Sequence, residues 1–112
     1  MTPRYAFFIH LRALPAWLRL PRDQRRALGE AHLHALLPRY AGALRLRHFD
    51  AEAFCAPCSD VMLVETDDPL KHYDFMERLR DSPLLTEPYF EVLQIIPAIE
   101  DGYVDFERSA TV

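Results

Sequence analysis

Apolar positions recur along this chain with two periods, and the switches between them mark out the elements. In Tyr5–Leu11, Tyr5, Phe7, Ile9 and Leu11 fall on one side of an extended segment, and Ala6, Phe8 and His10 on the other. Both sides are largely apolar, which predicts a strand covered on both faces. ALPAWLRL follows, a turn-rich stretch with Trp17 and Leu18 as anchors. From Pro21 to about Tyr40 the period changes: Ala27, Ala31, Leu33, His34, Leu37 and Tyr40 lie at helical spacings, opposite Arg25 and Glu30. Proline suits a first helical turn, so Pro21 opens this helix, and Pro38 and Gly42 frame its end. Ala43–Phe49 alternates Leu44, Leu46 and His48 against Arg45, Arg47 and Phe49, the pattern of a half-exposed strand. Val61–Thr66 is a second strand apolar on both sides. Asp67, Asp68 and Pro69 then form a helix start, because acids favour the positive end of the helix dipole. That helix runs to Arg80, carrying Tyr73, Met76 and Leu79. Phe90–Ile96 is the last strand, closed by Pro97, and residues 98–112 form a short tail with aromatic anchors at Tyr103 and Phe106.

The order β-α-β-β-α-β predicts an α+β, ferredoxin-like domain over residues 1–112, four antiparallel strands with two helices on one face. Two helices cover only one side of such a sheet, yet strands one, three and four carry apolar residues on both. A second copy is the economical cover for the other side, so a homodimer joined through sheet faces is expected.

Composition narrows the partners. Half of the 112 residues are hydrophobic, too many for a disordered chain. The net charge is -4, from 13 Lys or Arg against 17 Asp or Glu, which gives no general attraction to nucleic acid or anionic membrane. No apolar run is long enough to span a bilayer. The apolar start of the chain is broken by His10 and Arg12 and lacks a cleavage pattern, so cytoplasmic residence is expected. The three glycines, Gly29, Gly42 and Gly102, are isolated and make no phosphate loop. The serines lack a nucleophile-elbow context. Haem is conceivable through His10, His34 or His48, but five scattered histidines give no reason to prefer it, and no cofactor or metal is expected.

Cys55 and Cys58, in FCAPCSD, are the only cysteines. A redox dithiol wants a helix N-terminus beneath its first thiol, but here a strand follows instead. A structural zinc wants four ligands; His48 and Asp60, or a second CxxC across a dimer, would have to complete it. The plainest reading is a pair of reduced turn cysteines.

The blocks HFDAEAFCAPCSDVMLVETDD (His48–Asp68) and PYFEVLQIIPAIEDGY (Pro88–Tyr103), with PAWLRLPRDQR (Pro15–Arg25), resemble the darcynin family of small bacterial proteins. The resemblance implies a dimeric α/β barrel, in which two ferredoxin-like sheets face one another. It carries no catalytic motif onto these positions. Proteins that pair such sheets often hold a small-molecule cavity, and some act on aromatic substrates without a cofactor.

Candidate site residues are therefore the polar groups in apolar settings. His10 interrupts an apolar strand face and is the first candidate base, with Glu65, following Val61 and Leu63, as the carboxylate that would orient it or act as a base of raised pKa. His48 points with Leu44 and Leu46 toward an apolar region. Asp60 reads foremost as a turn-fixing group bonded to backbone N–H, and Gln94, between Val92 and Ile96, as an amide offered to a ligand or an interface. Trp17, Tyr73 and Phe90 read first as packing residues and second as pocket walls. The expected function is a dimer with a small apolar cavity; the alternatives are a cofactor-independent monooxygenase or isomerase, and a purely structural dimer.

Overall fold

The computed structural model describes residues 3–110. Its sheet has four antiparallel strands in the order β2-β3-β1-β4: β1 (Tyr5–Ala13), β2 (Leu44–Asp50), β3 (Asp60–Thr66) and β4 (Phe90–Ile99). The helices are α1 (Pro15–Leu18), α2 (Arg22–His32), α3 (Pro69–Arg80), α4 (Pro83–Thr86) and α5 (Gly102–Ala110), with a 3-10 segment at His34–Tyr40. This is the ferredoxin-like topology.

Local chemistry accounts for the sharpest boundaries. Asp68 caps α3 by accepting from the Leu70 N–H at 3.0 Å, with Pro69 in the first turn. The helix expected over Pro21–Tyr40 is instead two elements. Pro38 cannot donate a helical hydrogen bond and its ring crowds the turn before it, so α-geometry stops at Leu33 and a tighter 3-10 segment takes over. Ala41 (φ 50) and Gly42 (φ 80) then turn the chain into β2. β4 continues past Pro97 to Ile99, because an edge strand tolerates a residue without N–H. The expected anchors of the tail are not anchored: Tyr103 and Phe106 lie on α5, both well exposed.

The pairing register sorts the side chains onto two faces. Toward the helices point Phe7, Ile9 and Leu11, opposite Val64, Met62 and Asp60 of β3. Leu44, Leu46 and His48 join them, opposite Thr66, Val64 and Met62. Helix α3 presses Phe75, Met76 and Leu79 onto this face, and Phe75 and Ile9 are fully buried. Tyr40 Oη donates to Asp74 at 2.8 Å, tying the 3-10 segment to α3.

The other face is the more open one. Phe8 lies there opposite Leu63 and Ile96, His10 opposite Val61 and Gln94, and Arg45, Arg47 and Phe49 flank them on β2. Phe8, Ile96 and Phe49 are 37%, 40% and 48% exposed, whereas Leu63, in the sheet centre, is buried by its neighbours.

Candidate functional site

Between the sheet and the helices lies a pocket of about 250 Å³. Its floor is the helix-facing side of β1, β2 and β3, through Leu11, His48, Asp60 and Met62. Helices supply the walls: Trp17 from α1, Gly29 from α2, Leu79 from α3, Leu84 and Leu85 from α4. Leu33, His34 and Phe90 complete the lining. Trp17 is held edge-on by Tyr89, at 5.6 Å between ring centroids, and rests on Phe90 at 4.7 Å.

A polar pair lies at this wall, its Asp60 half-buried and its His48 exposed. His48 Nε2 and Asp60 Oδ2 are 2.6 Å apart. The two meet because the register places His48 opposite Met62 and Asp50 opposite Asp60, making His48 and Asp60 diagonal neighbours on one face. Ser59 Oγ also donates to Asp60 Oδ1, at 2.6 Å. The hydrogen bond to Asp60 raises the His48 pKa, outweighing the burial that lowers it. Burial pushes Asp60 upward, but the hydrogen bonds from His48 and Ser59 outweigh it and hold the carboxyl below its usual range. The pair therefore favours an imidazolium–carboxylate, in which Nε2–H is given to Asp60 and Nδ1–H is the one ring N–H left to donate elsewhere. Asp60 does not serve as the turn-fixing acceptor of backbone N–H; its described partners are the two side chains.

A smaller recess of about 140 Å³ shares Trp17 and Asp60 with the apolar pocket. Arg22, Arg25, Asp50 and Glu52 line it. Arg25 is partly engaged, donating to the Leu20 carbonyl at 2.9 Å and the Leu18 carbonyl at 2.7 Å. An apolar chamber and a charged one thus meet at Trp17 and Asp60.

Four of the residues singled out from the sequence, Trp17, His48, Asp60 and Phe90, come together here. The others do not. His10 and Glu65 share the open face, but His10 pairs with Val61 and Glu65 with Ala6, four residues along β1. Glu65 is instead bound by Arg45, at 3.0 Å and 3.2 Å, and by Arg47 at 3.1 Å. The Arg45 hydrogen bond leads in lowering its pKa, which removes the expected base of raised pKa. Gln94 lies opposite His10 on that face, because a register shift between His10 and Leu11 separates it from Val92. Tyr73 is exposed on the outside of α3 and does not line the pocket. Cys55 and Cys58 are free thiols, and no three His, Cys, Asp or Glu side chains converge as a metal site among the described residues, so the mixed site with His48 and Asp60 does not form.

Gly29 is the wall residue that periodicity overlooks. A Cβ built on it meets nothing within 4 Å, so no steric demand requires glycine there. A helix-interior glycine costs about 1 kcal/mol relative to alanine, and that cost was the readable signal. What its missing side chain leaves is open space on the pocket wall.

The fold recurs in proteins of known structure. The chain superposes on a heme-binding protein from Thermus thermophilus with a TM-score of 0.80 at 15% identity, covering 100% of this chain and 46% of that one. A dimeric chlorite dismutase from Nitrobacter winogradskyi gives 0.72 at 21% identity, covering 88% and 58%. The chain thus spans about half the length of these solved proteins, and the likeness is one of fold. Sequence relatives are nearer. Darcynin from Chromobacterium violaceum is 56% identical over 64 residues, 57% of this chain and 81% of the relative. Darcynin 1 from Acinetobacter baumannii is 39% identical over 88 residues, 79% of this chain and 97% of the relative. The profile of Darcynin, a domain of unknown function, matches residues 1–111, and the chain belongs to that family.

Proposed function

We propose that this protein binds a small amphipathic molecule, its apolar body between sheet and helices and its polar end at His48 and Asp60. The observation that carries this reading is the composition of the wall, a hydrogen-bonded His–Asp pair in a pocket of about 250 Å³ whose lining is otherwise mainly leucine and aromatic, with His34 as its other polar side chain. Ligand sites combine an apolar lining with a few convergent polar groups in this way. The adjoining charged recess favours a molecule with a polar head over a plain hydrocarbon. Heme, the ligand of the Thermus protein, does not fit. The pocket falls below the ~300–1,000 Å³ of drug-sized sites and is too small to enclose a porphyrin. His48, on its wall, also has Nε2 committed to Asp60.

Trp17 is the single tryptophan, so its fluorescence reports occupancy directly. Titration with a panel of small phenols and medium-chain carboxylic acids is expected to shift Trp17 emission with saturation for at least one class. A panel that shifts nothing, or that shifts a His48→Leu variant equally, overturns the reading.

The His–Asp pair favours a second reading, proton transfer on the bound molecule, as in a cofactor-independent isomerase or monooxygenase. A carboxylate-bound imidazole is an established acid–base arrangement. Turnover that falls by roughly 100-fold in His48→Gln, with binding retained, would support it; unchanged turnover would exclude His48 as the proton carrier.

The open sheet face belongs to the same proposal, as the seat of a second copy. Phe8, Phe49 and Ile96 leave an apolar surface there, which a soluble monomer rarely keeps. The charges on this face are balanced within each sheet, Arg45 and Arg47 by Glu65 and Glu91 by Arg12, so apolar area carries the argument for a second copy. The similar Nitrobacter protein is itself described as dimeric.

A further inference from the structure

The loop between β2 and β3 holds its two sulfurs against each other. Cys55 Sγ and Cys58 Sγ are 3.2 Å apart. Backbone hydrogen bonds close the loop around them: Phe54 and Cys55 N–H groups donate to the Ala51 carbonyl, and Ala51 N–H donates to the Ser59 carbonyl at 2.8 Å. Ser59 N–H in turn donates to the Leu11 carbonyl of β1 at 2.9 Å, which fastens the loop to the sheet. Pro57, between the cysteines, fixes one backbone angle of the intervening pair. Closing to the ~2.05 Å of a disulfide asks for a movement of about 1.2 Å, within reach of side-chain rotation.

We propose that Cys55 and Cys58 are a dithiol site that exchanges with low-molecular-weight disulfides, Cys55 attacking and Cys58 resolving. The two thiols differ in the way such an order needs. Cys55 is partly exposed, and Cys58 is buried. The backbone N–H of Cys58, then its thiol, favour the Cys55 thiolate and lower its pKa. Its hydrogen bond to Cys55 leads in raising Cys58, with burial and Asp60 adding to it.

The steps balance. The Cys55 thiolate attacks one sulfur of a small disulfide RSSR, forming a Cys55–S–S–R bond and expelling RS⁻. Cys58 gives its proton to solvent and attacks Cys55 Sγ, forming the Cys55–Cys58 bond and expelling the second RS⁻. The protein is oxidised by two electrons, RSSR is reduced to two thiols, and a small dithiol reverses both steps. Neither cysteine lines the pocket, and the exchange requires no ligand there, although Asp60 of the pocket wall acts on Cys58.

Folded protein is incubated with glutathione disulfide and followed by intact mass and thiol titration. Both thiols should disappear, with a mass loss of two hydrogens and no lasting adduct, and dithiothreitol should restore them. Cys58→Ser should trap one glutathione on Cys55, whereas Cys55→Ser should be modified roughly tenfold more slowly or less. Surviving thiols, or lasting glutathione adducts on the wild type, overturn the dithiol site. Equal rates in the two variants overturn the assigned order.

Discussion

Replacing His72 by Phe should make the protein less sensitive to acid, because the ring is buried in the fold. His72 lies on α3, 6% exposed, stacked on Phe7 with ring centroids 3.7 Å apart and planes 6° from parallel. Its Nδ1 has no hydrogen-bond partner among the described residues. Burial without a partner disfavours the imidazolium, and the pKa falls from 6.5 to about 4. The folded state therefore keeps the ring neutral while the unfolded chain already takes up a proton below 6.5. Stability from this group is full above pH 6.5, declines between 6.5 and about 4, and is lost below that. At ~1.4 kcal/mol per pH unit, the whole interval corresponds to about 3 kcal/mol, of which about 2 kcal/mol is gone by about pH 5. Phenylalanine keeps a flat ring on Phe7 and removes the proton site. Urea unfolding followed by circular dichroism at about pH 7.5 and about pH 5 should show wild type losing about 2 kcal/mol more than His72→Phe. His48, Asp60 and Glu65 titrate in both proteins, so their contributions cancel in the difference. Equal losses in the two proteins would refute the argument that a buried imidazole with an unpartnered Nδ1 is held neutral.

Other substitutions probe separate parts of the structure. Phe75→Ala should cost about 3–5 kcal/mol in chemical denaturation, because Phe75 is fully buried between α3 and the sheet; a loss under about 1 kcal/mol would mean the core is not packed there. Asp60→Asn should lower the His48 pKa measured by NMR, since the Asp60 hydrogen bond is what leads in raising it; an unmoved value would contradict the 2.6 Å pair. Ile96→Glu should convert a dimer of twice 13.1 kDa into monomer in light scattering, and wild type that is already monomeric at micromolar concentration would remove the reason for a covered face.

The parts of this architecture that sequence conveys are those fixed by near neighbours. Asp68 and Pro69 specify the start of α3 from adjacent positions in the chain, and alternation in β2 puts His48 with Leu44 and Leu46. What sequence conveys poorly depends on partners far along the chain. The pairing of His48 with Asp60 needs the β2–β3 register, and the separation of Glu65 from His10 needs the β1–β3 register. A single register shift opposite β1 turns Gln94 away from Val92, which strict alternation cannot anticipate. The end of α2 was foreshadowed by Pro38, but that proline also fits a helix end near Tyr40. In the structure α2 ends at His32, and Pro38 lies inside the 3-10 segment that follows.

The central claim, that the pocket between sheet and helices is a ligand site, meets its most direct test at Gly29. Leucine there has room for its Cβ, improves helix propensity by roughly 1 kcal/mol, and sends its side chain from the α2 wall toward the open space. Protein purified from its source should show a bound small molecule in native mass spectrometry. Gly29→Leu, purified identically, should be at least as stable to heat yet carry no bound molecule. A wild type that carries nothing, or a ligand that persists unchanged in Gly29→Leu, would contradict the account.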